Sequence, residues 1–179
     1  PAGGVGGVSG GGPVNCATPP AGGFATIFNG DASLPTQISC PLEGAVPVTV
    51  AYQPFERGLM IWVAQVGSSG QPGIYVFFNN NTYQRFNDTW REGVDPERAG
   101  LGAPPGLQEP IRGFGKIWRE TGGIRDRLGW ATAGEIGDTG GTIQVFERGE
   151  MIYVPQTGQT YVAVAGTPGT WTSVAVAFR

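Results

Sequence analysis

Two copies of one short string stand out among the residues that could do chemistry. Gln53-Pro54-Phe55-Glu56-Arg57-Gly58-Leu59-Met60-Ile61-Trp62 and Gln144-Val145-Phe146-Glu147-Arg148-Gly149-Glu150-Met151-Ile152-Tyr153 agree at seven of ten positions. A neighbouring Glu and Arg could form an acid–base or ion pair, but a catalytic pair has no need to be copied. Phe55, Glu56, Arg57 and Gly58, and with them Phe146, Glu147, Arg148 and Gly149, therefore read as a repeated turn. The glycine gives the backbone its freedom, and the charged side chains orient the turn by side chain–backbone bonds or a weak ion pair.

The chain contains no His. That excludes a Ser-His-Asp or Cys-His arrangement. It also removes a usual zinc ligand from beside the two cysteines. There is no P-loop and no dinucleotide fingerprint. Asp88, Glu92, Asp95, Glu97, Asp126 and Glu135 could supply the carboxylate pair of a glycosidase, but all fall in expected loops or short helices, where solvated charges are the ordinary outcome. Asp88, Asp95 and Asp138 lack calcium-loop spacing. The expectation is no catalytic residue, no metal and no cofactor.

Cys16 and Cys40 are the only cysteines and are expected to form a disulfide, which places the chain in an oxidising compartment. Of the five tryptophans, Trp62 and Trp118 lie on patterned apolar faces and are expected in the core. Trp90 and Trp130 are left as candidate platforms on which a sugar ring could stack.

Charged residues are 14% of the chain, well under the usual quarter or so, while Gly is 32 of 179 residues. Aromatic and β-branched residues recur between the glycines in short runs, so the composition is that of a turn-rich β protein. A net charge of −3 with no basic stripe argues against nucleic acid. No apolar run is long enough to span a membrane as a helix. The opening Pro1, without a charged leader or apolar segment, is read as following the removal of a signal peptide.

Residues 1–15 form a Gly-rich N-terminal arm, PAGGVGGVSGGGPVN. It reads as a flexible tether in isolation, which its own domain or a neighbouring copy could hold down. Residues 16–179 read as a single β-rich domain with two related hairpin units, at about 46–90 and 111–179. Phe24 to Phe28 and Thr36 to Cys40 are short strand candidates. Strands are expected at 46–52, 59–66, 74–78 and 83–87, and again at 143–146, 151–154, 160–164 and 171–178. Ile111, Phe114 and Trp118 share one helical face, and one or two short helices are expected near 111–128. The expected fold is mainly β: short antiparallel hairpin repeats in a compact propeller-like or sandwich-like arrangement.

From Gly115-Lys116-Ile117-Trp118-Arg119-Glu120-Thr121-Gly122-Gly123 through Leu128-Gly129-Trp130-Ala131-Thr132 to the hairpin at Thr142–Tyr153 and Thr157-Gly158, the chain resembles an LGFP repeat. The resemblance covers about residues 113–171, and residues 53–90 resemble the hairpin half of a second copy whose helical half is missing or diverged. Trp130-Ala131 departs from the aromatic-Pro pair expected after Leu-Gly, and Arg148 is an addition within the turn. Such repeats occur in bacterial cell-envelope proteins and are thought to hold enzymes at the cell wall. The resemblance thus implies a secreted or cell-surface location and a non-catalytic role.

Two functions follow as expectations. The first is a structural subunit of a bacterial surface assembly, a filament or envelope layer, in which the N-terminal arm contacts a neighbouring copy to build a homo-polymer. The alternative is a module that binds cell-wall polysaccharide or another glycan through exposed tryptophans.

Overall fold

The computed structural model describes residues 14–179, so all but the last two residues of the expected arm lie outside the described residues. The chain is mainly β. Two helices, α1 (Gly22–Gly30) and α2 (Leu34–Ile38), precede four strands, β1 (Val46–Phe55), β2 (Gly58–Val63), β3 (Gly73–Phe78) and β4 (Thr82–Asn87). The same order follows again: α3 (Arg112–Glu120) and α4 (Ile124–Leu128), then β5 (Ile136–Phe146), β6 (Gly149–Val154), β7 (Gln159–Val164) and β8 (Gly169–Val174).

All eight strands pair antiparallel into one closed barrel, in the order β1-β2-β3-β4-β8-β7-β6-β5. This replaces the propeller-like or sandwich-like arrangement that the hairpin pattern suggested. The reason is visible in β3, all six of whose residues are buried. Tyr75 and Phe77 turn into the lumen, while Ile74, Val76 and Phe78 turn outward beneath helices. Where the wall is covered on both faces, as at β3, the sheet bends around its own side chains without a second sheet to pack on.

The lumen is filled by Val48, Val50, Ile61, Val63, Tyr75, Phe77, Ile143, Ile152, Val154 and Tyr161, among others. The helices cross over between the two units. Phe114, Ile117, Trp118, Ile124 and Leu128 of α3 and α4 cover Met60, Ile74 and Val76 of the first four strands. Conversely, Phe24, Ile27, Phe28, Leu34 and Ile38 of α1 and α2 cover Met151 and Val162 of the second four. A stretch that is contiguous in sequence therefore does not bury its own apolar face, and each unit supplies the cover for the other.

Helices α1 and α2 correct the strand candidates at 24–28 and 36–40. Phe24, Ile27 and Phe28 stand at the same spacing as Phe114, Ile117 and Trp118, so the first helical half is present after all. The last strand also stops early, at Val174. Beyond it the chain leaves the sheet and runs against α1, where a Cβ on Gly23 would strike the Ala177 carbonyl. The β1–β5 seam pairs from Val46↔Ile143 to Tyr52↔Ile136 around one bulge. By contrast, β4 and β8 share only Thr82↔Thr170 and Tyr83↔Gly169.

Candidate functional site

The repeated turns are joints between the units. Glycine is required because a Cβ on Gly58 (φ 152°) or Gly149 (φ 147°) would run into the carbonyl of Phe77 or Ala163 on the adjacent strand. Arg57 then reaches the C-terminal end of α4, its Nη2 donating to the Asp126 carbonyl at 2.7 Å and its Nε to Arg127 at 3.0 Å. Glu56 accepts from the Trp130 backbone N–H at 2.8 Å. In the other unit Arg148 donates to the Thr36 carbonyl of α2 at 2.6 Å, and Glu147 accepts from the Ser39 hydroxyl. These carbonyls are the ones a helix leaves without partners at its C-terminal end, so the charged residues close helices.

Cys16 and Cys40 form a disulfide with Cα atoms 5.4 Å apart. It fastens the segment before α1 to the end of α2. Gln144 helps from the barrel side, accepting from Ala21 N–H at 3.0 Å and donating to the Glu43 carbonyl at 3.0 Å.

A cleft of about 320 Å³ opens between the barrel and the start of α3. Trp62 of β2 and Phe114 of α3 meet there with Asp88 and Trp90, which follow β4, and with Arg112 and Glu135. Both tryptophans are half-buried. Asp88 holds them in place: Oδ2 accepts from Trp62 Nε1 at 2.9 Å, and Oδ1 accepts from the Trp90 backbone N–H at 3.0 Å. Gly113 lets that carboxylate come close, since a Cβ there would lie 2.7 Å from Oδ1. Burial pushes the Glu135 carboxyl above its ordinary value, with Arg112 opposing and Asp88 adding to the rise.

The matching groove of the other unit shows what packing alone requires. There Tyr153 stands for Trp62, Val176 for Asp88, Phe178 for Trp90, Gly22 for Arg112 and Ala45 for Glu135. Tyr153, Val176, Phe178 and Ala45 pack on the α1–α2 core. The Phe178 ring lies 4.8 Å from that of Phe24, the counterpart of Phe114. One groove is thus filled by the chain's own apolar residues. Its counterpart carries two tryptophans, two carboxylates and a guanidinium around open space.

Of the residues singled out in the sequence, Trp90, Asp88 and Glu135 come together in this cleft. Trp130 does not: its ring lies 5.0 Å from Trp118, under the Arg125 guanidinium at 5.0 Å. Trp118 is fully buried, its Nε1 donating to the Gly129 carbonyl at 2.6 Å. Asp95 is tied to Lys116 at 2.8 Å, and Glu97 approaches Arg112 at 3.9 Å. Glu92 and Asp126 are exposed. Among the described residues no group of His, Cys, Asp or Glu is arranged to hold a metal ion, and no helix is long and apolar enough to cross a membrane.

Sequence reasoning placed Trp62 in the core and did not single out Arg112. Their signal was the contrast with the other copy, where Tyr153 and Gly22 stand in their places. Comparison with known proteins finds no matching family model, no matching curated protein and no matching solved structure.

Proposed function

We propose that the chain is a non-catalytic, exported glycan-binding module of a bacterial cell envelope, and that it takes a sugar in the Trp62–Trp90 cleft. The observation that carries this reading is the difference between the two matched grooves. Phe178 and Val176 close one, whereas Trp90 and Asp88 leave the other open and polar. Half-exposed indoles offer flat apolar faces to the C–H side of a pyranose. Glu135 and Arg112 at the rim offer an acceptor and donors for its hydroxyls. Asp88 already accepts bonds from both tryptophans, which favours a positioning role over a catalytic one. The LGFP-like residues and the disulfide agree with an envelope setting.

The test is a pull-down on purified bacterial cell wall and a titration with its soluble oligosaccharides, using wild type, Trp62→Ala, Trp90→Ala and Trp130→Ala. Retention lost in the first two variants and kept in Trp130→Ala is the expected result. Loss in Trp130→Ala equal to that in Trp90→Ala, or no retention of the wild type, counts against the cleft.

A second reading, the homo-polymeric surface subunit, is favoured by the short β4–β8 seam. Past two shared pairs, β4 residues 84–87 have no strand neighbour on that side among the described residues, an edge that a strand from another copy could extend. Deleting residues 1–15 would then abolish polymers seen by negative-stain microscopy while the thermal melt stays unchanged. Polymers that persist in the deletion reject the arm as the linking segment.

A further inference from the structure

The barrel lumen contains an ion pair that, among the described residues, its other end does without. Glu150, at the start of β6, is 7% exposed, and Arg85 of β4 reaches it with Nη1 to Oε1 at 3.0 Å. Tyr75 stands beside both, fully buried. The position matching Glu150 in the other unit is Leu59, which packs against the lumen core. A hydrocarbon therefore satisfies the place of the Glu150 carboxylate in the fold, and burying a carboxylate carries a desolvation cost that an apolar side chain does not. A charge pair retained at one end alone calls for a use.

The pair can be reached from the side. Where β4 and β8 part beyond their two shared pairs, a cavity of about 390 Å³ opens between residues 84–86 and the 165–169 loop. Arg85 lines it, and its side chain is 43% exposed. Arg127 lines it too, held by the Thr82 hydroxyl at 3.2 Å and lying over the Phe78 ring at 3.6 Å. Two guanidiniums thus face one opening. Arg85 has further N–H donors besides the Nη1 that Glu150 occupies.

We propose that this side window binds a small anionic group, a carboxylate or a phosphate. The free edge of Arg85 takes the anion in charge-assisted bonds, and Arg127 holds the rim. Glu150 orients Arg85 and, by its own charge, keeps the affinity modest. The site is separate from the tryptophan cleft.

The test is an NMR titration of the protein with sodium phosphate and, separately, sodium acetate, each against sodium chloride at equal ionic strength. Saturable shifts at the Arg85 side chain and the 165–169 loop, absent with chloride, are expected. Tighter binding of phosphate assigns a phosphoryl ligand, and tighter binding of acetate assigns a carboxylate. Arg85→Gln should abolish the shifts. Glu150→Gln removes the opposing charge and should tighten binding, by roughly tenfold if it recovers one charge-assisted hydrogen bond. Arg127→Gln, an exposed change, should weaken binding and serves if Arg85→Gln fails to fold. No saturable shift, equal shifts with chloride, unchanged binding in Arg127→Gln, or weaker binding in Glu150→Gln overturns the proposal. Trp90→Ala should leave these shifts as they are, so the window and the sugar cleft stand or fall apart.

Discussion

Arg57 donates to the Asp126 carbonyl at 2.7 Å, and through that bond the β1–β2 turn of one unit closes a helix of the other. Arg148 does the same for Thr36. Each arginine satisfies carbonyls that a short helix leaves open, and a five-residue helix has little stability of its own to spare.

Arg57→Ala and Arg148→Ala should therefore each lower stability by about 1–2 kcal/mol, the net worth of one or two charge-assisted bonds. The two sites share no partner, so the double variant should lose the sum within about 0.5 kcal/mol. Urea titration of the four proteins measures this. A double variant no less stable than either single one would show that the turns do not act as independent joints.

The sequence read correctly where local pattern and tertiary role coincide. Six of the eight strands fall close to their expected places because their apolar runs end at Gly, Pro or Asn, and α3 follows from the spacing of Phe114 and Trp118, whereas β5 begins at Ile136, well before the expected 143, and β8 stops at Val174. It misled where a segment's partner is distant. Phe24 to Phe28 is an apolar run that reads equally as strand, and only the lateral match to Phe114, Ile117 and Trp118 identifies it as helix. Barrel closure depends on β1 meeting β5 and β4 meeting β8, contacts between units that no local period encodes. Half of the cleft was legible for the same reason: Trp90, Asp88 and Glu135 lie in polar connections. Trp62 shares a strand face with buried Met60 and so reads as core, whereas its ring reaches the open groove.

The tryptophans should separate binding from stability. Trp118→Ala empties a fully buried site and should cost about 3–5 kcal/mol. Trp90→Ala removes a half-buried ring from the wall of an open cleft and should cost under about 1 kcal/mol, while abolishing retention on the glycan. Thermal melts beside the pull-down check both. A large stability loss in Trp90→Ala would make that residue a packing element.

Reducing the Cys16–Cys40 disulfide, which closes a separation of 24 residues, should lower stability by about 3–4 kcal/mol on the chain-entropy model. Hydrogen exchange should rise first in residues 14–30. Their anchors are the disulfide, the Gln144 side chain and the contact with α1's own core, and only the first is removed. Equal exchange in oxidised and reduced protein would mean that the Gln144 bonds and helix packing already hold the segment.

The buried Glu150 carboxyl in the lumen gives stability a particular dependence on pH. Burial raises the Glu150 carboxyl above its ordinary value, and Arg85 opposes the rise only in part. Over the window from about 4.5 upward to the folded value, the folded protein holds a proton that the unfolded chain has released. Protonation then favours folding. The contribution of Glu150 is thus fully present below the ordinary carboxyl value and is lost as pH rises through the folded one. Glu135 acts in the same direction, so the comparison must isolate Glu150. Across that window the stability of wild type minus that of Glu150→Gln should decline as pH rises, because the amide does not titrate. Denaturant midpoints at half-unit steps of pH measure the difference. A difference that grows with pH would mean that Arg85 outweighs burial and holds the carboxylate charged, and the pair would then stabilise the barrel at neutral pH.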